Sequence, residues 1–68
     1  MQKRAKSPMA QLRKKALMSQ ADVAEELGVE RSTVTKWETG AAYPRAGMLM
    51  KLAKLYDCTI EELIGGAA

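Results

Sequence analysis

The chain has 68 residues, 47% of them hydrophobic, and a formal net charge of +3; a chain this short buries only about 60% of the surface its unfolded form exposes, which leaves room for one domain. Its aromatic residues are Trp37, Tyr43 and Tyr56, so the core is mainly aliphatic, which favours packed helices over a small sandwich or barrel. With one cysteine, Cys58, and no histidine, intramolecular disulfides and multi-cysteine or imidazole metal sites are excluded, and no apolar run approaches the roughly 18 residues of a membrane span.

The basic start MQKRAKSPMAQLRKK lacks the apolar stretch of a signal peptide, so a soluble, cytoplasmic protein is expected, with Cys58 reduced and serving as a small apolar residue. Lys3, Arg4, Lys6, Arg13, Lys14 and Lys15 all precede the first acid, Asp22. Such a segment suits nucleic acid, an anionic membrane, or plain solvation. No apolar residues accompany it to anchor a membrane contact, so none is expected.

Residues 1–6 have no periodicity and read as a flexible basic arm, with one domain over 7–65 and a tail over 66–68. Ser7 reads as an N-cap, with Pro8 at the first position of a helix carrying Met9, Leu12 and Ala16 on one stripe. Met18 and Ser19 break the pattern, and Ser19 with Asp22 is spaced as a capping box for a second helix from Gln20. Val23, Ala24 and Leu27 are its apolar stripe, and Gly28 supplies the left-handed conformation that closes it. A third helix is expected over 31–38, with Val34 and Trp37 inward, Gly40 closing it, and Arg31, Ser32, Thr35 and Lys36 on the other face. Pro44 marks the entry to a fourth, whose core stripe is Leu49, Leu52, Ala53 and Tyr56. Thr59 and Glu62 are spaced as a second capping box, opening a short fifth helix with Ile60, Leu63 and Ile64 that ends at Gly65 and Gly66.

The stretch QADVAEELG, followed by VERSTVTKWETG and PRAGMLMKLAKLYDCTIEELIG, resembles the helix-turn-helix of the phage repressor and Cro family, also called the XRE family. The resemblance covers roughly residues 9–65 and rests on many positions at fixed spacing. It implies an all-α, lambda-repressor-like bundle of five short helices, in which the second and third form the helix-turn-helix. The residues suit that geometry: Ala24 lets two backbones approach, Gly28 makes the turn, and Val29 and Val34 lock the third helix on the second.

The same resemblance implies a small transcriptional regulator, expected to be a repressor, that binds double-stranded DNA with its recognition helix in the major groove, as a symmetric dimer on a palindromic operator. Glu30, Arg31, Ser32, Thr33 and Lys36 are the implied base-contacting residues, with Arg31 foremost because arginine reads guanine bidentately. Arg13, Gln20, Thr35 and Thr39 are the implied phosphate contacts, Thr39 standing where the family usually has asparagine. Ile60, Leu63 and Ile64 are the implied dimer interface. Arg13 and Glu38 are expected to pair, Trp37 to lie in the core, and the basic arm to add backbone or minor-groove contacts. No cofactor, metal or small-molecule ligand is expected.

Three positions depart from the family pattern. Glu30 stands at an N-cap that glutamate serves poorly, Thr39 replaces the asparagine, and Arg45, Ala46 and Gly47 replace the usual capping and apolar residues, so the fourth helix is expected to fray at its start. An enzyme is not expected. Glu25 with Glu26, and Glu61 with Glu62, are sequence neighbours that point about 100° apart on a helix and cannot converge on one atom. The competing reading is a protein-interaction module such as an antitoxin or a partner subunit. Met48, Met50, Leu55, Ile60 and Ile64 are its sign, being more apolar residues than one core face of a short helix pair needs.

Overall fold

Local hydrogen bonding sets most of the element boundaries. In the computed structural model, which describes residues 8–65, five helices follow in order: α1 Met9–Lys15, α2 Gln20–Leu27, α3 Arg31–Thr39, α4 Ala46–Tyr56 and α5 Ile60–Leu63. Both capping boxes form. The Ser19 hydroxyl accepts from the Asp22 N–H at 3.0 Å while the Asp22 carboxylate accepts from the Ser19 N–H at 2.8 Å. At α5 the Thr59 hydroxyl accepts from the Glu62 N–H at 3.1 Å, and the Glu62 carboxylate accepts from the Thr59 N–H at 2.8 Å. Each box satisfies two N–H groups that a helix start would otherwise leave open.

The other boundaries differ in kind. Pro8 stands just outside α1, its carbonyl accepting from the Leu12 N–H at 3.0 Å. The readings of residues 1–6 as an arm, Ser7 as a cap and 66–68 as a tail lie outside the described residues. Glu30 and Arg45 precede α3 and α4 without a side-chain capping bond, as the sequence suggests. Gly28 takes φ +71°, and a Cβ there would meet nothing within 4 Å, so the backbone conformation and not the space calls for glycine.

Among the described residues, two adopt the left-handed region without being glycine: Leu17 at φ 62° and Asp57 at φ 55°. Asp57 closes α4. Leu17 lies in the turn between α1 and α2 and is 91% exposed.

Helix α2 packs against α3, α4 against α5, and α1 reaches both α3 and α4. The core between them is Met9, Val23, Ala24, Val34, Trp37, Leu52, Tyr56 and Leu63, with Leu12, Leu27, Val29, Leu49 and Ala53 packed against it. Val34 lies in that core and Val29 packs against it, where α2 and α3 meet the other helices. Met48 and Leu55, two of the residues counted as surplus, also pack against the core. Trp37 is buried, which removes it as a base-stacking platform.

Leu63 corrects an expectation. It is 0% exposed and belongs to the chain's own core, so it has no surface to offer a second copy. Ile60 at 39% and Ile64 at 44% keep theirs. On a helix of four residues the 3.6-residue period covers hardly more than one turn, and only the packing of α5 on α4 separates the inward residue from its neighbours.

Candidate nucleic-acid interface

Helix α3 has two faces of different chemistry. Val34, Trp37 and Glu38 are buried, whereas Glu30, Arg31, Ser32, Lys36 and Thr39 are exposed and Thr33 and Thr35 half-buried. Ser32, Lys36 and Thr39 follow one another at four and three residues, and Arg31 with Thr35 at four, so these side chains form two adjacent ridges on the outward side. The structure therefore brings the expected base-contacting residues together, with Thr33 nearest the packed side. Thr39 is turned back on its own helix, its hydroxyl donating to the Lys36 carbonyl at 3.3 Å.

Beneath that face lies a polar network. Arg13 of α1 donates from Nε to Glu38 Oε2 at 2.6 Å and from Nη2 to Glu38 Oε1 at 3.2 Å, with a third bond from Nη1 to the Met18 carbonyl at 2.9 Å. Gln20, the first residue of α2, donates from Nε2 to Glu38 Oε1 at 2.8 Å. Its own Oε1 accepts from the Thr35 hydroxyl at 3.1 Å. That hydroxyl also lies 3.2 Å from the Arg31 carbonyl, within its own helix.

The pair joining Arg13 and Glu38 agrees with the resemblance, but its setting is buried: the two side chains are 11% and 7% exposed. Hydrogen bonding to Glu38 raises the Arg13 pKa further, partly opposed by desolvation, so the guanidinium stays charged. Little of Arg13 remains for a phosphate. The sequence reading missed that Gln20 and Thr35, assigned as phosphate contacts, belong to the same network. One signal was available, since Glu38 stands on the stripe of Val34 and Trp37, and a carboxylate on a core stripe requires donors.

Beside the end of α3, the exposed Tyr43, Arg45 and Lys51 line a shallow groove with Trp37 and Met48, and no functional part is expected of those three from the residue pattern. Cys58 is half-buried, and burial pushes its thiol pKa up, so it carries little thiolate and suits a packing role.

Two short helices joined by a glycine turn, the second offering a polar outward face, form a helix-turn-helix, and a family model of that description matches residues 9–63. The chain belongs to the XRE family of helix-turn-helix domains. It is similar to the HTH-type transcriptional activator BcrR of Enterococcus faecalis, 38% identical over 58 residues, 85% of this chain and 28% of that protein. The cryptic phage CTXphi transcriptional repressor RstR of Vibrio cholerae serotype O1 is 33% identical over 60 residues, 88% of this chain and 54% of that protein. The HTH-type transcriptional regulator AnsR of Bacillus subtilis is 39% identical over 57 residues, 84% of this chain and 49% of that protein. The match thus spans about half or less of each relative's length. Among the described residues, no helix is long and apolar enough to cross a membrane.

Proposed function

We propose that this chain is a sequence-specific binder of double-stranded DNA that acts in transcription regulation, with α3 inserted in the major groove. The observation that carries the reading is the two-sidedness of α3: its inner residues are fixed in the core, while Arg31, Ser32 and Lys36 project from a short helix that fits a groove about 12 Å wide. Arg31 reads guanine O6 and N7, worth roughly 1–3 kcal/mol of discrimination; Ser32, Thr33 and Lys36 add contacts beside it, and Glu30 accepts from cytosine N4.

Phosphate binding falls to the start of α2, where Gln20 keeps one amide hydrogen outside the network and the helix end presents its N–H groups. Thr39, exposed at the other end of α3, adds a contact by turning its hydroxyl away from the Lys36 carbonyl that it meets at 3.3 Å. One short helix reads only a few base pairs, so a symmetric dimer on a near palindrome, joined through Ile60 and Ile64, supplies the rest of the affinity. The relatives' names include both an activator and a repressor, which supports regulation without fixing its sign. A repressor follows where the bound site overlaps that of polymerase.

The test is selection from a random duplex library at two salt concentrations, with Arg31→Ala alongside. The reading expects an enriched near palindrome that the variant loses. Weak binding, without enrichment and unchanged by the substitution, overturns it and points to a protein-interaction module instead.

A further inference from the structure

We propose that Thr35 is a positioning residue for DNA recognition: through its hydrogen bond to Gln20 it pins α3 in the rotation on α2 that the core packing selects, and it does not itself bind phosphate. The inference rests on the DNA-binding reading above and deepens it.

Three observations carry it. The Thr35 side chain is half-buried, and its hydroxyl reaches Gln20 Oε1 at 3.1 Å, across the helix-turn-helix. A threonine hydroxyl has one hydrogen, and both acceptors in reach, Gln20 Oε1 and the Arg31 carbonyl, belong to the protein, so none is left to donate to a phosphate oxygen. Gln20 is in turn not free to rotate: its Nε2 is held by Glu38, which two bonds from Arg13 also fix. The amide therefore presents its oxygen to Thr35 in one orientation, because a carboxylate accepts only and must face the amide nitrogen.

The consequence is geometric. Arg31 lies one turn before Thr35 on the same ridge and Lys36 directly follows it, so a change in how α3 sits on α2 moves both across the base edges. A recognition group displaced by about 1 Å loses bidentate geometry while its charge continues to attract the backbone. Loss of the Thr35 hydroxyl is therefore expected to blur sequence preference more than it weakens binding to arbitrary DNA.

A double-mutant cycle on the full chain tests this, using the duplex that the wild type selects and a scrambled duplex of equal length. Thr35→Val keeps the branched shape and removes the hydroxyl; Gln20→Met keeps the length and removes the amide. Expected is about a tenfold loss of affinity for the selected duplex with Thr35→Val and little change for the scrambled one, restored by Thr35→Ser. In the Gln20→Met background, Thr35→Val should cost nothing further. Losses that multiply in the double variant, or that are equal on both duplexes, show an independent phosphate contact and overturn the proposal. A Thr35→Val protein that is less stable yet discriminates as the wild type does makes Thr35 merely structural and also overturns it. If the wild type selects no duplex at all, the DNA-binding reading fails first, and the two failures remain distinct.

Discussion

Arg13 and Glu38 stand 25 residues apart in sequence and meet side by side, with Nε to Oε2 at 2.6 Å and Nη2 to Oε1 at 3.2 Å, both side chains almost wholly covered. Two parallel bonds between a planar guanidinium and a carboxylate fix orientation as well as distance. The pair joins α1 to α3, and Gln20 adds α2 to the same carboxylate.

Removing one partner strands the other's charge under cover. Arg13→Met is expected to destabilise the domain by about 2–3 kcal/mol, the lower part of the range for buried pairs because the Arg13 side chain keeps 11% exposure. Replacing both residues by apolar ones should cost less than Arg13→Met alone. Urea denaturation of the two variants checks the order, and a double variant weaker than the single would refute the account.

Acid should release the start of α2. The Ser19 N–H, followed by the Ser19 hydroxyl, holds the Asp22 carboxyl below its ordinary value of 3.8. A group whose folded pKa is depressed contributes stability that is complete above the unfolded value and is lost as pH falls through the folded one. The contribution of Asp22 is therefore intact above about pH 4 and disappears below it. Thermal midpoints measured from neutral pH downward should show a steeper acid decline for the wild type than for Asp22→Asn.

Alkali acts in the opposite sense on Tyr56, whose burial pushes the phenol up to about 12. A raised folded pKa means that stability is complete below the unfolded value near 10 and falls as pH rises toward the folded one. In Tyr43→Phe, which leaves Tyr56 as the tyrosine observed, phenolate absorbance should rise only above the ordinary tyrosine range. Ionisation of Tyr56 near its unfolded value of about 10 in the folded protein would contradict its packing.

Leu17 holds a left-handed backbone without the excuse of a buried side chain. That conformation costs a non-glycine residue about 1–2 kcal/mol, whereas glycine adds only about 0.5–1 kcal/mol of extra chain entropy to be lost. Leu17→Gly should therefore raise stability by up to about 1 kcal/mol, because the 91% exposed side chain gives up almost no packing. A fall in the denaturation midpoint would show that Leu17 packs in solution.

On α5, Leu63→Ala should cost about 2–5 kcal/mol through the cavity it leaves. Ile64→Asp should leave monomer stability within about 0.5 kcal/mol. If the proposed dimer forms through Ile60 and Ile64, sedimentation will find the Ile64→Asp protein monomeric where the wild type is not.

The sequence by itself determined what neighbouring residues settle among themselves. Ser19 with Asp22, and Thr59 with Glu62, lie within hydrogen-bonding reach whenever a helix starts there, and Gly28 and Gly40 close helices through a backbone conformation that depends on no distant contact. The same holds for the stripes of Val23 with Ala24 and of Val34 with Trp37, because a helix fixes their common face. The pairing of Arg13 with Glu38 was legible only through the family pattern, since nothing local brings together residues on α1 and α3. Tertiary structure alone decided that Gln20 and Thr35 bond to each other, that Leu63 turns inward while Ile60 and Ile64 do not, and that Leu17 stands free. In each case the outcome depends on how one helix is rotated against another, a relation set by the packing of the whole core and not by the residues on either side in sequence.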